Sequence, residues 1–177
     1  MQNFFPNEPG ILEGMRPVKD MPVILIADDD SRNLRLMKAF LEPMGYEVIL
    51  ARNGREAIEQ VKNVCPDVIL LDIMMPEISG FEVARKLKSD EKTRMVPIVM
   101  VSNLTHVEDR VKALQAGADD FLTKPVEKVE LRARVRSSIK VKAYYDHLRD
   151  HQERLESEVS ERTLQLKEAY QKIKQAS

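Results

Sequence analysis

Three consecutive carboxylates, Asp28, Asp29 and Asp30, follow directly on the apolar run Val23–Ala27. Like charges this close raise one another's pKa and cost free energy, so a fold keeps them together when a cation lies between them. Mg²⁺ prefers hard oxygen ligands, takes one or two carboxylates from the protein and keeps several water molecules. The triplet therefore predicts a cation site, and Mg²⁺ is the ion that suits it.

Three further polar residues, Asp72, Ser102 and Lys124, each end an apolar run. An aspartate carboxylate can act as a nucleophile toward phosphorus, and a metal ion, an ammonium group and a hydroxyl can neutralise charge on a transferring phosphoryl group. Taken singly, each of these residues has an ordinary explanation as a turn, cap or solvated residue. Taken together, they predict a site for phosphoryl transfer.

Apolar runs alternate with helical patterns from Pro22 onward, and this alternation predicts the elements that position these side chains. The first helix is expected from Ser31 to Pro43, and later helices are expected to begin after Asn53, Ser79 and Thr105. Runs rich in Val, Ile and Leu indicate strands that are covered on both faces. The sequence thus predicts an α/β fold with a doubly wound, five-stranded parallel sheet, whose ligand site lies beyond the carboxyl ends of the strands.

Composition excludes several classes of protein. The 177 residues carry a net charge of -1, so the overall charge does not attract the chain to nucleic acid or to an anionic membrane. The single cysteine, Cys65, cannot form an internal disulfide, and the apolar runs are far shorter than a membrane span. We expect a cytoplasmic protein, with a flexible N-terminal arm at residues 1–21 and one ordinary domain at residues 22–140.

Four motifs, "ILIADD", "ILLDIMMPEISG", "PIVMVS" and "FLTKPV", occur in this order between Val23 and about Lys140. This region resembles the receiver domain of two-component response regulators. The resemblance implies a flavodoxin-like sheet of strand order 2-1-3-4-5 and a switch phosphorylated by a sensor histidine kinase in the presence of Mg²⁺. It implies no enzyme activity beyond the chain's own phosphoryl transfer.

The resemblance also assigns the acidic residues. Asp72 would be the phosphoacceptor and would also bind the metal ion, Asp29 would be a direct Mg²⁺ ligand, and Asp28 would act mainly through water. Met74 would supply a backbone carbonyl to the ion. For Asp30 two interpretations stay open, a first-turn acid that stabilises a helix N-terminus or a role in the site.

The switch residues follow from the same resemblance. Ser102 would turn toward the phosphate, Lys124 would pair with it, and Phe121 would rotate inward and repack the face formed by the fourth helix, fifth strand and fifth helix. The Lys124-Pro125 bond would be cis. Asn103 departs from the small residue usual after the switch hydroxyl, and we expect its larger side chain to narrow access to Asp72.

A rival interpretation is a haloacid-dehalogenase-like phosphatase, which would use Asp28 as its nucleophile and which also needs a Ser or Thr, a Lys and Mg²⁺. Such enzymes require an acidic pair after the lysine strand, and the sequence from Lys124 to Ser138 supplies none at a strand end. Asp72 would also have no role. The receiver interpretation is therefore favoured.

Residues 141–177 contain a heptad seam with charged flanks, and eight of its ten positions are apolar. The seam consists of Val141, Tyr145, Leu148, Gln152, Leu155, Val159, Arg162, Leu166, Ala169 and Ile173. It predicts a helix that continues from the domain and forms a homodimeric coiled coil. The segment resembles linkers before HD-type cyclic-di-GMP phosphodiesterase domains and, less closely, linkers before diguanylate cyclase domains. The catalytic motifs of both domains are absent from this sequence, so we expect no cyclic-dinucleotide chemistry in this chain and expect it to belong to a longer regulator.

Overall fold

The computed structural model describes residues 21–103 and 106–176. These residues divide into two compact units, with the boundary between Ala143 and Tyr144. The sequence predicts a boundary slightly earlier, after Lys140. The predicted flexible arm lies outside the described residues except for Met21.

Five parallel strands form one sheet in the order β2-β1-β3-β4-β5, which confirms the predicted topology. The strands are β1 (Val23–Ala27), β2 (Glu47–Ala51), β3 (Val68–Asp72), β4 (Ile98–Ser102) and β5 (Asp120–Thr123). Strand β1 pairs with both β2 and β3, so that Ile24 lies opposite Val48 on one side and Val68 on the other. The strand order reverses between β1 and β3, and the carboxyl ends of these strands therefore border the crevice where such folds bind ligands.

Two apolar cores lie on the two faces of the sheet, because successive side chains of a strand point to opposite faces. Leu25 and Ala27 pack in one core, with residues of α2 (Gly54–Val64) and α3 (Gly80–Ser89). Ile24 and Ile26 pack in the other core, with residues of α1 (Ser31–Leu41) and of the first turns of α5 (Lys128–Ala176). Both faces of the sheet are therefore covered, as the continuous apolar runs predict.

Two helix ends differ from the prediction. Helix α1 ends at Leu41 rather than at Pro43, because proline has no N–H to donate within an α-helix. A short 3₁₀-helix, Glu42–Met44, follows, and Gly45 ends it with a φ of 82°. Helix α4 (Val107–Gln115) has His106 rather than Thr105 as its N-cap, and Thr105 lies outside the described residues.

The other two predicted caps are confirmed. Asn53 accepts a hydrogen bond from the backbone N–H of Glu56 at the start of α2. Ser79 and Glu82 form a reciprocal capping box at the start of α3.

Helix α5 extends from Lys128 to Ala176, which confirms the long C-terminal helix. Leu131, Val135 and Ile139 bury its first turns in the core. Seven apolar residues of the predicted seam are instead exposed in the single chain, namely Val141, Tyr145, Leu148, Leu155, Val159, Leu166 and Ile173. Among the described residues, no helix has both the length and the apolar composition that crossing a bilayer requires.

Candidate functional site

The sheet places the predicted site residues along one edge. Asp28 follows β1, Asp72 ends β3, Ser102 ends β4, and Lys124 follows β5. Asp28 is 0% exposed and Asp72 is 4% exposed, and Ser102 is fully buried. Three side chains that bind water strongly are thus held in a nearly dry environment, where charge interactions are stronger than in water.

Four contacts hold the buried carboxylate of Asp28. It accepts hydrogen bonds from the backbone N–H of Asp30 at 2.8 Å and from the Asn33 amide at 3.3 and 3.1 Å. The Lys124 ammonium lies 2.7 Å from its Oδ2 atom. Sequence reasoning missed Asn33, although a polar residue in the first turn of the helix after β1 is a signal that could have identified it.

Lys124 bridges the two buried acids. Its Nζ atom lies 2.7 Å from Asp28 Oδ2 and 3.1 Å from Asp72 Oδ1, and its side chain is 13% exposed. Burial alone would lower the pKa of Lys124, but hydrogen bonds to Asp28 and attraction to both carboxylates outweigh it and raise the pKa. The lysine therefore stays charged and supplies the cation that the acidic cluster requires.

Burial raises the pKa of the Asp72 carboxyl to about 6, and the nearby charge of Asp28 adds to this effect. The Lys124 ammonium and a backbone hydrogen bond from Met74 act in the opposite direction without cancelling it. Asp72 thus differs from an ordinary surface aspartate: its charged form is less stable and more basic.

The carboxylates of Asp28, Asp29 and Asp72 form one cluster, in which a ligand oxygen from each lies within 4.8 Å of the others. Asp29 is exposed, so the cluster opens to solvent on its side. Met74 lies two residues beyond Asp72, with its side chain 67% exposed. Three hard oxygen donors beside a solvent opening suit Mg²⁺, which keeps part of its water shell.

Asp30 has a separate role, which decides between its two interpretations in favour of the helix start. It is the N-cap of α1, and its carboxylate accepts the backbone N–H of Arg32 at 2.8 Å. The same carboxylate also pairs with the Arg32 guanidinium at 2.9 Å, and these contacts lower its pKa. Asp28 and Asp29 thus belong to the acidic cluster, whereas Asp30 caps the start of α1.

Gly80 brings the start of α3 against the end of β3. Its N–H donates to the Ile73 carbonyl at 2.9 Å. A Cβ atom at this position would lie 2.2 Å from the Asp72 carbonyl oxygen, closer than any real contact. Only glycine fits here without moving the strand end that carries Asp72.

The predicted switch residues lie on β4, on β5 and directly after β5. Ser102 pairs in register with Thr123, and the backbone N–H of Lys124 donates to the Ser102 carbonyl at 2.9 Å. Phe121 is half-buried against the core, and the Arg110 guanidinium lies 5.5 Å from the centre of its ring. The Lys124-Pro125 bond is cis, and Asn103 is exposed.

A family model described as the response regulator receiver domain matches residues 24–136, which is more than half of the chain. The chain belongs to the response regulator receiver family. This membership removes the phosphatase alternative, and the matched residues contain all of the strand ends described above.

Two curated relatives illustrate how much of a regulator the receiver domain represents. Response regulator PleD of Caulobacter vibrioides is 46% identical over 129 residues, which cover 73% of this chain and 28% of that protein. The DNA-binding dual master transcriptional regulator RpaA of Synechocystis is 39% identical over 120 residues, covering 68% of this chain and 50% of that protein. This chain therefore spans at most half the length of these relatives.

Solved receiver structures show the same fold. A CheY-like receiver domain protein of Methanospirillum hungatei has a TM-score of 0.66 and 30% identity, covering 71% of this chain and 98% of that one. The receiver domain of a sensor histidine kinase from Pseudomonas aeruginosa PAO1 has a TM-score of 0.63 and 31% identity, covering 67% of this chain and 98% of that one. The structure of that domain has a magnesium ion coordinated in its active site cleft.

Proposed function

We propose that this receiver domain is a phosphorylation-dependent switch in which Asp72 accepts a phosphoryl group from a sensor histidine kinase. The observation that carries the proposal is the position of Asp72. Its buried carboxylate lies 3.1 Å from a lysine ammonium and within a cluster of three acids. Phosphoryl transfer depends on positioning and on compensating charge, and this arrangement supplies both.

In the proposed reaction, an Asp72 carboxylate oxygen attacks phosphorus while the bond from phosphorus to the donor's leaving group breaks. Asp29, Asp28, Asp72 and the Met74 carbonyl would hold Mg²⁺, directly or through water. When bound, the ion would neutralise negative charge between the carboxylates and the incoming phosphoryl group. Asn33 and the N–H of Asp30 keep the Asp28 carboxylate fixed in position.

Lys124 and Ser102 would then contact the new phosphate. Lys124 already carries a charge beside Asp72, and a charged donor makes stronger hydrogen bonds to an anionic oxygen than a neutral one. As Ser102 turns toward the phosphate, the half-buried Phe121 would move inward. That movement would repack the surface made by α4, β5 and the first turns of α5.

The C-terminal helix would carry the output as a homodimer. Eight of the ten seam positions are apolar, and Leu148, Leu155, Val159 and Ile173 are among them. A heptad seam of this kind favours the association of two copies of the helix in a coiled coil. All four side chains are exposed in the single chain, and such a row of apolar residues is an unfavourable surface in water.

Incubation with Mg²⁺ and acetyl phosphate tests the phosphoacceptor. Mass spectrometry should show one added phosphoryl group on the chain, and none on the Asp72→Asn variant, which keeps the size of the side chain but loses the nucleophilic oxygen. Asp67→Asn is a matched control, because Asp67 is also buried but bonds to Val23 at the opposite end of β1. Unchanged labelling of Asp72→Asn would refute the assignment.

Sedimentation tests the dimer. Leu155→Lys combined with Leu166→Lys should give monomers, because two charges would enter the seam of each helix. Ser157→Lys combined with Ser160→Lys adds the same charge outside the seam and should leave the dimer intact. If the leucine variant remains a dimer, contacts elsewhere hold the two chains together.

A second candidate is the regulatory part of a larger cyclic-di-GMP enzyme. It is favoured by the resemblance of the helix to linkers before HD-type output domains. The 28% of PleD that this chain covers shows only that this relative carries the matched domain within a longer protein. The reading frame beyond Ser177 tests this candidate. A stop codon there would leave the dimeric switch as the whole function.

A further inference from the structure

The distal half of α5 carries two possible contact seams. Every residue from 151 to 176 is exposed in the single chain, so burial within that chain does not select a seam. The first, here called the heptad seam, continues the spacing of the preceding turns through Val159, Arg162, Leu166, Ala169 and Ile173. The second, here called the shifted seam, runs through Val159, Thr163, Leu166, Tyr170 and Ile173. Both have the alternating spacing of three and four residues that a coiled coil needs.

The heptad seam keeps the supercoil regular but contains two poor core residues. Arg162 is charged, and its guanidinium pairs with Glu158 at 2.7 Å while its side chain is 74% exposed. Burying this charge opposite its copy on the second helix costs free energy. Ala169 is small and leaves space between the helices. The heptad seam therefore has regular geometry and weak packing.

The shifted seam has better core residues and less regular geometry. The Thr163 hydroxyl donates to the Val159 carbonyl at 2.7 Å, so its polar group is already satisfied and its methyl group is free to pack. Tyr170 brings a large ring that is exposed in the single chain. Arg162 moves to the flank, where its charge stays in water. The shifted seam requires two successive steps of four residues, from Leu155 to Val159 and from Val159 to Thr163. Such an irregularity, called a stutter, locally unwinds the supercoil.

We propose that the homodimer has these two alternative seams between Val159 and Ile173, and that phosphorylation of the receiver domain shifts the balance between them. The inference rests on the proposed dimeric switch and names the conformational change on its output side. Successive residues of a helix are about 100° apart, so exchanging one seam for the other turns each helix by about 50°. Leu166 and Ile173 belong to both seams, which allows the exchange without separating the helices.

Disulfide formation between the two copies tests the proposal in the full chain. With Cys65→Ser as background, single cysteines at Ala169 and Tyr170 report the heptad and the shifted seam, because a disulfide needs Cα atoms within about 7 Å. Leu166→Cys, which lies in both seams, should link in every state. Glu168→Cys, which lies outside both, should not link.

Addition of Mg²⁺ and beryllofluoride, which mimics a phosphoryl group, should change the linking rate of Ala169→Cys and Tyr170→Cys in opposite directions. We expect a change of about fivefold or more, the usual size of coupling between two sites. Adding Arg162→Leu to these chains should hold the dimer in the heptad seam and abolish the change in linking rate on addition of beryllofluoride. Adding Ala169→Lys to the Tyr170→Cys chain should hold the dimer in the shifted seam.

The contrary results are distinct from one another. Equal rates with and without beryllofluoride, while Leu166→Cys links in both, would overturn the two-seam proposal and leave the dimer standing. A chain that sediments as a monomer would overturn both the two-seam proposal and the proposed dimer. A dimer in which Leu166→Cys does not link would have antiparallel helices, which also overturns the proposal.

Discussion

Lys124 and Asp28 are 96 positions apart in the sequence, and their side chains meet at 2.7 Å. Lys124 follows β5 and Asp28 follows β1, and two strands lie between β5 and β1 in the sheet. The contact joins the edge of the sheet to its interior. It also places one positive charge among acids that would otherwise repel one another.

Removing this charge should strengthen metal binding. Lys124→Ala is expected to raise the Mg²⁺ affinity by about tenfold or more, because the ammonium repels a cation that enters the same cluster. Titration calorimetry measures the change. Lys88→Ala is the matched control, since Lys88 is also mostly buried and paired, but with Asp119 rather than with the cluster. Equal affinities for wild type and Lys124→Ala would contradict the prediction.

The raised pKa of Asp72 should make stability depend on pH. Its pKa is about 6 in the folded chain and near 3.8 in an unfolded one, so the folded state binds more protons between these values. The free energy of unfolding should therefore fall as pH rises from 4 to 6, relative to Asp72→Asn, by about 2 kcal/mol. Denaturant unfolding without Mg²⁺ measures both proteins, and parallel pH curves would be the contrary result.

Substitutions of Asp29 and Asp30 should affect different quantities, the first Mg²⁺ affinity and the second thermal stability. Asp29→Asn should weaken Mg²⁺ binding with little change in melting temperature, because Asp29 is exposed and contributes to the cluster. Asp30→Ala should lower the melting temperature by roughly 2–4 °C through the lost cap and leave Mg²⁺ affinity nearly unchanged. Calorimetry of each variant, with and without the ion, measures both quantities. A large loss of affinity in Asp30→Ala would show that it takes part in the site.

Substitution of Gly80 should affect both stability and the labelling of Asp72, whereas substitution of its neighbour Ser79 should affect stability alone. Gly80→Ala should destabilise the chain by about 3 kcal/mol or more and slow labelling of Asp72, because the new methyl group displaces the end of β3. Ser79→Ala removes the capping box and should cost about 1 kcal/mol without slowing the labelling. Unfolding and labelling rates measured side by side test the pair. Equal labelling rates would mean that the strand end does not depend on this close approach.

The sequence predicted those site residues that end apolar runs, such as Asp72 and Lys124, because the carboxyl ends of parallel strands meet at one edge. It did not predict Asn33 or Gly80, whose roles arise only when a helix start approaches a strand end in space. The role of Asp30 needed its backbone angles, which distinguish a cap from a ligand. The spacing of α1 likewise did not show that Pro43 ends the helix two residues early.

The strand order has a consequence for the newly made chain. Strand β5 is the last strand in the sequence and lies at the edge of the sheet next to β4. During synthesis, Asp28, Asp29 and Asp72 therefore leave the ribosome well before Lys124 does. Until Lys124 arrives, the acids have no lysine between them, and Mg²⁺ from the surroundings is a suitable counterion. The site that responds to phosphate is therefore completed only when β5 joins the sheet and brings Lys124 beside the acids.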